Sequence, residues 1–469
     1  MENKENTSES FRDSISTINK KGKRVWVYPK KTKGAFTNAR TIVSVFLLAV
    51  LFITPFIQVN GHPFMLFNVL ERKFILFGLV FAPQDFYIFV LTMIAVIVFI
   101  ILFTAVFGRI FCGWICPQTV FMEMVFRKIE YLIEGDAKQQ KLLDQSPVST
   151  KKVIIKGFKH IVFYAVSFII ANFFLAYILG AQKVLELVRT SPLQNLSLFT
   201  AIVVFSGLFY FVFSRFREQA CVIVCPYGRL QGVLLDQNSI VVAYDHVRGE
   251  PRGRIKRNEE RTKGDCIDCR LCVDVCPTGI DIRNGIQLEC VNCTACIDAC
   301  NGVMKKINKP SGLIRYDSLR GIKEKSKKRL TPRTILYSVL LLVLLSIISL
   351  FLVNRKDVEV NILRTPGLLS QELPNNKVSN IYNIEIENKT FNKIPVSVKA
   401  LNIKGEIKII GKPLSVEPQG MYETKFLLII DKSLLTQMNT PVTLGVYRNN
   451  ELIKTINTSF LGQIKEDEQ

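Results

Sequence analysis

Residues 264–300 read GDCIDCRLCVDVCPTGIDIRNGIQLECVNCTACIDAC and hold eight of the chain's 12 cysteines. The stretch is an internal repeat, because DCIDCRLCVDVC and ECVNCTACIDAC share the spacing C-x-x-C-x-x-C-x-x-x-C, offset by 24 residues. Pro277 follows the last cysteine of the first half, whereas Asn301 stands where the second half would have its proline. That departure lies outside the cysteines, so it changes the local turn and leaves the pattern intact. The repeat predicts two equivalent metal-binding halves.

The cysteine spacing is typical of two [4Fe–4S] clusters. Three closely spaced cysteines on a curling loop can reach three irons of one cluster, and the fourth, beyond a turn, ligates the other cluster. Each predicted ligand set therefore takes three cysteines from one half and the last cysteine of the other. The first set is Cys266, Cys269, Cys272 and Cys300. The second set is Cys290, Cys293, Cys296 and Cys276. Zinc fits poorly, since zinc sites usually pair two C-x-x-C knuckles across a longer stretch of chain.

The other four cysteines form two copies of a second motif, C-x-x-x-C-P. The pairs are Cys112 with Cys116 and Cys221 with Cys225, each followed directly by proline. A spacing of four puts both sulfurs of a pair on one helix face, and the proline ends or redirects the helix. Paired thiols at a membrane boundary suit a soft metal such as Cu(I), or thiol redox exchange. The alternative is a pair of small apolar residues packing a helix end. Two near-identical motifs at matching positions favour function.

The composition places much of the chain in a membrane. The protein has 469 residues, 49% of them hydrophobic and 21% charged, and the apolar residues gather in runs about as long as a membrane span. This composition excludes a disordered chain. Five runs without charged side chains are expected to cross the membrane as helices. They are Thr41–Asn60, Phe86–Gly108, Ile161–Gly180, Asn195–Phe213 and Ile335–Val353. A sixth apolar run, Pro63–Phe81, has charges in its middle and is expected to lie at the interface.

Lysine and arginine residues predict the orientation of these spans. Segments 1–40, 109–160 and 215–334 together carry 42 of them, whereas the alternate loops 60–84 and 181–196 carry 4. By the positive-inside rule, the first three segments face the cytoplasm, and five crossings leave the C-terminal tail outside. All 12 cysteines then lie in cytoplasmic segments, where thiols stay reduced. Most of the net charge of +22 belongs to these segments, so it indicates a membrane protein and not a nucleic-acid-binding one.

The C-terminal tail is predicted to be all-β. Short segments rich in Val, Ile, Tyr and Thr alternate there with Asn, Gly, Pro and Lys turns. Six or seven such strands in about 115 residues are typical of an immunoglobulin-like sandwich. The predicted chain begins with a basic cytoplasmic N-terminus (1–40) and a helical transmembrane bundle of four spans (41–214), whose cysteine motifs reach residue 226. A cytoplasmic region (227–334) follows, with a two-cluster ferredoxin-like α+β domain at about 256–312. A fifth span (335–353) then leads to an exported sandwich (354–469).

Several motifs extend well beyond the cysteines. They are GRIFCGWICPQTVFMEMVFRKIEYLIEGD (108–136), CVIVCPYGRLQGVLLD (221–236), YDHVRGEPRG (244–253) and GLIRY (312–316). With the cysteine repeat and the β tail, they make nearly the whole chain resemble the cytochrome c oxidase accessory proteins of the CcoG, FixG and RdxA type. Many electron carriers have a similar cysteine repeat. The C-x-x-x-C-P pairs limit the resemblance to the membrane polyferredoxins among them. The YDHVRGEPRG string and the tail then select this family.

The resemblance implies a multi-pass protein of the bacterial cytoplasmic membrane that acts in assembly of a cbb-type haem–copper cytochrome c oxidase. Its implied activity is reduction of Cu(II) to Cu(I), with copper as substrate, two [4Fe–4S] clusters as cofactors and the C-x-x-x-C-P thiols as copper candidates. The implied partners are copper chaperones or oxidase assembly factors, while the electron donor stays open. The ferredoxin domain would be cytoplasmic and the tail periplasmic. Two alternatives remain, a quinol-linked electron-transfer subunit and a non-catalytic assembly scaffold.

Overall fold

The computed structural model describes residues 17–18, 21–59, 61–68, 73–81, 85–191, 193–254, 263–325, 331–367, 370–374, 376–411, 414–435 and 437–462. The chain folds as two compact units. The first unit consists of the chain up to Gln58 together with Val90–Ile347. The second unit consists of Val59–Phe89 together with Ile348–Gln469. All the predicted cysteine sites lie in the first unit, and the β tail lies in the second.

Five helices in the described ranges are long and apolar enough to cross a membrane, as the hydropathy pattern predicts. Spans 1 and 3 begin earlier than expected, because a helix can continue through polar residues that an uncharged-run criterion leaves out. The start of span 3 is fixed by Ser149, whose side chain accepts a hydrogen bond from the Lys152 backbone N–H. The helices are span 1 (Ala35–Phe56), span 2 (Phe86–Phe107), span 3 (Thr150–Leu179), span 4 (Leu196–Phe216) and span 5 (Pro332–Val353).

Spans 2 and 4 continue into short, irregular helices that carry the C-x-x-x-C-P motifs. Pro117 and Pro226 each occupy the first turn of a new short helix, where proline loses no hydrogen bond. Three segments are π-helical, namely Val120–Phe126, Val212–Phe216 and Ala220–Val224. The remaining helices are Ile110–Trp114, Pro117–Thr119, Arg127–Ile133, Ala137–Gln145, Ala181–Arg189, Pro226–Leu234, His246–Gly249, Leu271–Asp274, Ala295–Lys306 and Leu319–Glu324, with a 3-10 turn at Ile282–Asn284.

The apolar run at 63–81 does not form a span in its described part. Strands β3 (Met65–Asn68), β4 (Lys73–Leu76) and β5 (Leu79–Phe81) make a small antiparallel sheet there. Two further strands, β6 and β7, flank the cysteine repeat in sequence and pair with each other. The strands of these parts are β1 (Gln58–Val59), β2 (His62–Pro63), β3 (Met65–Asn68), β4 (Lys73–Leu76), β5 (Leu79–Phe81), β6 (Val241–Tyr244) and β7 (Ile314–Asp317).

The tail forms two antiparallel sheets that enclose one hydrophobic core. One sheet has the order β12-β14-β10-β8, with β9 also paired to β10, and the other has the order β13-β11-β15-β16. Alternate residues such as Ile384 on β10 and Leu444 on β15 are fully buried between them. The strands are β8 (Val358–Arg364), β9 (Gln371–Leu373), β10 (Lys377–Asn388), β11 (Ile394–Ala400), β12 (Gly405–Ile410), β13 (Ser415–Val416), β14 (Met421–Asp431), β15 (Asn439–Arg448) and β16 (Glu451–Leu461).

Because Glu387 is a buried carboxylic acid, we expect the stability of the tail to depend on pH. It lies on β10 directly opposite Glu359 of β8. Burial raises the pKa of its carboxyl to about 7; Lys389 lowers it, and Asp85 and Glu359 raise it further. Because the pKa of the carboxyl in the folded tail lies above the usual value near 4.3, binding of its proton stabilises the folded tail. This stabilisation is fully present below a pH of about 4.3 and is lost as the pH rises through 7. We expect the free energy of β10 opening, from hydrogen exchange on the full chain in detergent, to fall by about 2–3 kcal/mol between about pH 5 and 8.

The matched control is Glu387→Gln, which keeps the size of the side chain and removes its titration. Its β10 opening energy should be constant over this range and should exceed that of the parent at the alkaline end. A parent chain whose opening energy is the same at both ends of the range would contradict the prediction.

Candidate functional site

Four cysteines of the repeat surround one cavity with an empty volume of about 370 Å³. They are the four predicted for the first cluster, Cys266, Cys269, Cys272 and Cys300. Cys266 and Cys272 are buried, whereas Cys269 is exposed. Apolar side chains, including the fully buried Leu313, complete the wall together with Arg270 and Arg283. Cysteines distant in sequence thus meet around one space, as the spacing predicts.

The other four cysteines of the repeat line a second cavity, whose empty volume is about 340 Å³. Cys272 of the first set borders this cavity as well, so the two spaces are neighbours. Proximity of this kind suits electron exchange between two clusters. The second set consists of Cys276, Cys290, Cys293 and Cys296.

Backbone geometry explains why three cysteines of each half face one cavity. Asp268 and Arg270 in the first half, and Asn292 and Thr294 in the second, have φ between 53° and 66°. These four residues occupy equivalent places between successive cysteines. Left-handed residues curl the chain and bring successive side chains to one side, at about 1–2 kcal/mol each when the residue is not glycine. This curl builds each cysteine loop before a short helix begins.

The donors and the spaces fit iron–sulfur clusters better than a single ion. Across the described ranges, no three His, Cys, Asp or Glu side chains are placed to hold one metal ion. All 12 cysteines are free thiols. Sulfurs spread around a cavity match a cluster whose irons each take one cysteine, whereas a zinc ion needs its ligands within about 2.3 Å. Burial raises the pKa of the Cys272 and Cys290 thiols to about 12, so ligation must release their protons.

A two-stranded ribbon covers both cavities. In the register of β6 and β7, Val242 pairs with Tyr316, and Tyr244 pairs with Ile314. These four side chains share one face of the ribbon, because side chains alternate along a strand. Val242 lines the second cavity, and Tyr244 and Ile314 line the first. The Tyr316 hydroxyl also donates a hydrogen bond of 3.1 Å to the Asn292 carbonyl, within the second cysteine loop. The ribbon therefore shields both cavities from water on one side.

The two C-x-x-x-C-P motifs come together at the ends of spans 2 and 4. Burial raises the pKa of the Cys112 thiol to about 11 and that of the Cys221 thiol to about 12, and in each case neighbouring cysteines of both motifs raise it further. Cys112 Sγ donates a hydrogen bond of 3.3 Å to Oε1 of Gln231, which follows the second motif. The four thiols, Cys112, Cys116, Cys221 and Cys225, thus lie within electrostatic range of one another.

The first C-x-x-x-C-P motif packs directly on the loop of the second cysteine cavity. Gly113 lies between the two cysteines of the motif, and a Cβ there would come within 2.5 Å of the Val291 carbonyl oxygen and 2.6 Å of that of Asn292. Beside it, Trp114 donates through Nε1 to the Tyr316 hydroxyl at 2.9 Å. Only a residue without a side chain fits at position 113. This contact brings the membrane-edge thiols next to the predicted second cluster.

Span 1 is attached to the ferredoxin-like region through Asp298, which lies between the last two cysteines of the repeat. Its carboxylate accepts hydrogen bonds from the backbone N–H groups of Phe36 at 3.2 Å and Thr37 at 2.7 Å, and from the Thr37 hydroxyl at 2.7 Å. These N–H groups belong to the first turn of span 1, where a helix has donors without intrahelical partners. Asp298 therefore caps the span and holds the repeat at its end.

Several residues that position the site carry no sequence signal of their own. Arg109 was counted only as a charge next to a span, yet its guanidinium donates to the carbonyls of Leu288 and Gly228 and joins the repeat to the helix after the second motif. Gly113 was one of 26 glycines. Its place between two cysteines was the one available hint, because a small residue within a rigid motif often marks a close backbone approach.

Three family models match the chain. Residues 216–319 match a 4Fe-4S dicluster domain, and residues 89–134 match a 4Fe-4S binding domain. Residues 348–463 match the model described as the IG-like fold at the C-terminal of FixG. The first of these contains the whole cysteine repeat and the second C-x-x-x-C-P pair. The model at 89–134 contains Cys112 and Cys116, so it relates the membrane-edge thiols to iron–sulfur chemistry.

Protein RdxB of Cereibacter sphaeroides is 34% identical to the chain over 390 residues, which cover 78% of this chain and 80% of RdxB. This chain belongs to the FixG/RdxA family. Protein RdxA of the same organism is 34% identical over 63% of both chains. Nitrogen fixation protein FixG of Rhizobium meliloti is 35% identical over 63% of this chain and 58% of FixG. The matched parts therefore span less than two thirds of RdxA and of FixG. Family, helices and domain matches identify a membrane-bound iron–sulfur electron-transfer protein of the FixG/RdxA family.

The contact at Gly113 predicts that a single methyl group disturbs the second cluster site. In Gly113→Ala the new Cβ meets two backbone carbonyls, so either the motif helix or the 290–293 loop must move. We expect about half of the iron and acid-labile sulfide to be lost on anaerobic purification, with the loss confined to one of two clusters. Iron and sulfide analysis with electron paramagnetic resonance measures this.

Gly302→Ala is the matched control, because nothing lies within 4 Å of a Cβ at that helical position. It should keep the iron content of the parent. Full iron content in Gly113→Ala would mean that the contact does not position the second loop.

Proposed function

We propose that this protein reduces Cu(II) to Cu(I) at the four membrane-edge thiols and supplies Cu(I) for assembly of a cbb-type haem–copper cytochrome c oxidase. The observation that supports the proposal is the packing of Gly113 on the loop of the second cysteine cavity, because the first C-x-x-x-C-P motif then lies beside cysteines that we propose hold a cluster. In a FixG/RdxA-family protein, that arrangement joins a metal-binding surface to an electron carrier. Copper chaperones or oxidase assembly factors would receive the product.

Two sets of cysteines would hold the clusters, as the cavities suggest. The first set is Cys266, Cys269, Cys272 and Cys300, and the second is Cys290, Cys293, Cys296 and Cys276. Such clusters supply single electrons at potentials tuned by burial and by hydrogen bonds to sulfur. The ribbon of β6 and β7 keeps water from one side of both sites. One electron converts one Cu(II) to Cu(I), so no further co-reactant is needed apart from the donor that reloads the protein.

The membrane-edge thiols suit the copper side of this reaction. Thiolates prefer the soft ion Cu(I) over Cu(II), so a pair of them both favours reduction and retains the product. Cu(I) accepts coordination by two thiolates, so either C-x-x-x-C-P pair, or one thiol from each, is sufficient. Cys112 and Cys221 are half-buried, so copper can still reach these thiols.

We also propose that the cysteine domain faces the cytoplasm and the tail the periplasm. The support is the 42 against 4 division of Lys and Arg between the segments assigned inside and the two loops assigned outside. This orientation keeps all thiols in a reducing compartment. It leaves the β tail on the side where the copper centres of a haem–copper oxidase face outward.

A second candidate has the same four thiols hold a third iron–sulfur cluster. The observation that favours it is the match of residues 89–134 to a 4Fe-4S binding domain, which includes Cys112 and Cys116. The protein would then be an electron carrier without a copper site. Iron content separates the two candidates, since a third cluster raises the total by half.

The exchange of the last cysteine between halves is tested by two single substitutions. Cys276→Ser should damage the cluster of the second motif, and Cys300→Ser that of the first, because each supplies the fourth ligand to the other half. The parent should hold roughly eight irons and eight sulfides per chain, and each variant about half. Spectra of the two variants should be complementary. A parent with stoichiometric zinc and no sulfide would overturn the cluster assignment.

The copper assignment is tested by the double variant Cys112→Ser/Cys116→Ser in reconstituted full-length protein. We expect its iron content to stay at the parent level, while Cu(I) retention and the rate of Cu(II) reduction both fall at least about tenfold, because thiolate ligands are lost. Cys290→Ser is the counterpart, since it should lose iron and reductase activity and keep Cu(I) binding.

Two results would contradict this assignment. If the double variant binds and reduces copper as the parent does, the thiols are packing residues. If instead it loses about a third of the parent's iron, the third-cluster candidate is correct.

A further inference from the structure

The second unit contains a polar cavity that none of the assigned chemistry uses. Its empty volume is about 580 Å³, and it lies where span 5 ends and span 2 begins. Four cationic side chains line it, against two acidic ones, Asp85 and Glu359. The cationic residues are Arg355, Lys356, Lys389 and Lys454. The cavity therefore carries an excess of positive charge at one membrane boundary.

Part of this charge is already paired. Asp85 is buried and binds Lys389 at 2.7 Å and Arg355 at 2.6 Å. Lys389, whose side chain is 4% exposed, also binds Glu359 at 2.8 Å. These ion pairs form a rigid wall, because breaking one partner out of a buried pair leaves a charge without compensation. The wall fixes the shape of the cavity without using all its cations.

Two lysines at the mouth keep donors for a ligand. Lys454 Nζ donates at 2.8 Å to the Val360 carbonyl, which uses one of its three hydrogens. Lys356 is exposed and makes no ion pair within the ranges that the structure describes. The Tyr87 hydroxyl and the Asn354 side chain line the same space. Ammonium, amide and hydroxyl donors around one cavity are what a phosphate group requires.

Aromatic side chains place this cavity at the level of lipid headgroups. Tyr87, in the first turn of span 2, packs edge-on against Phe351 of span 5 with ring centroids 5.3 Å apart. Tyrosine and tryptophan are enriched at membrane–water interfaces, because their rings are apolar at one end and polar at the other. Phe86 and Val353 beside the cavity are exposed apolar residues that acyl chains would cover. A soluble phosphate would leave these apolar groups unused.

We propose that this cavity binds the phosphate of an anionic phospholipid headgroup, with Lys356 and Lys454 as its cationic contacts and the acyl chains lying along spans 2 and 5. The site is independent of the cysteines and of copper. Bound lipid would fix the tail where the chain leaves the membrane, because Lys356 follows span 5 and Lys454 lies on β16 of the tail.

Titration calorimetry of the full-length chain in a phosphate-free detergent solution tests this with three probes. They are dioctanoyl phosphatidylglycerol, dioctanoyl phosphatidylcholine and inorganic phosphate. We expect about one phosphatidylglycerol per chain, with clearly weaker binding of the zwitterionic lipid and of free phosphate. Lys356→Gln/Lys454→Gln should raise the Kd for phosphatidylglycerol roughly 30-fold, as expected for two lost cationic contacts. Lys356→Glu should also weaken binding.

Lys408→Gln is the control, because Lys408 is an exposed lysine of β12 outside the cavity. It should leave the Kd unchanged. The tested lysines are outside the buried ion pairs of Asp85, so loss of the Lys454 bond to the Val360 carbonyl should lower the unfolding temperature of the double variant only slightly. Unchanged affinity in the double variant would overturn the site. Inorganic phosphate binding as tightly as phosphatidylglycerol would overturn the lipid as its source.

Discussion

The structure of the first unit depends on bringing eight cysteines, all but Cys269 at least partly buried, around two small cavities. The chain achieves this with four non-glycine residues in the left-handed region, two per cysteine loop, and each costs about 1–2 kcal/mol. Burial of apolar residues such as Ile282, Ile297 and Met304 around the cysteines offsets part of this cost. Metal–thiolate bonds can offset the rest, and they also displace the protons that burial holds on the thiols. Folding of the repeat and cluster binding are therefore expected to be one event.

The same repeat also holds the membrane part in place. Asp274 and Asp298 are equivalent residues of the two halves, and both contact the segment that leads into span 1. The Asp274 carbonyl accepts a hydrogen bond of 2.8 Å from the Lys30 N–H, while the Asp298 carboxylate caps the span itself. Gly113 and Trp114 add a contact on the second loop. Direct packing of the cysteine domain therefore fixes its distance from the start of span 1 and from the first C-x-x-x-C-P motif.

Sequence predicts the parts of this protein whose signal is local. The cysteine spacing recurs after 24 residues, the spans are continuous apolar runs, and strands such as β10 and β11 alternate in polarity. Spans 1 and 3 start earlier than expected because helix starts depend on caps as well as on hydropathy. Strands β9 and β13 have three and two residues, too few for a pattern.

Contacts between residues that are distant in the chain could not be predicted from the sequence. Asp298 caps a helix some 260 positions earlier in the chain, and no local pattern records that pairing. Gly113 is essential only because a carbonyl of the second loop approaches it. In both cases the residue type fits its role, but the partner is set by the fold. The sequence therefore predicted which cysteines meet, but not the residues that hold them in position.

The convergence of the two thiol pairs rests on a buried ion pair at the membrane edge. Arg217, just before the second motif, donates to Glu130 Oε1 at 3.2 Å and Oε2 at 2.7 Å, and Glu130 follows the first motif. Burial alone would raise the pKa of the Glu130 carboxyl, but Arg217 and then Lys159 lower it to about 2, so the pair stays charged. A buried pair adds little net stability, yet its bidentate geometry is strongly directional. It joins segments that are 87 residues apart and so sets where Cys221 lies relative to Cys112. Charge pairing at the edge therefore joins the two segments that carry the thiols.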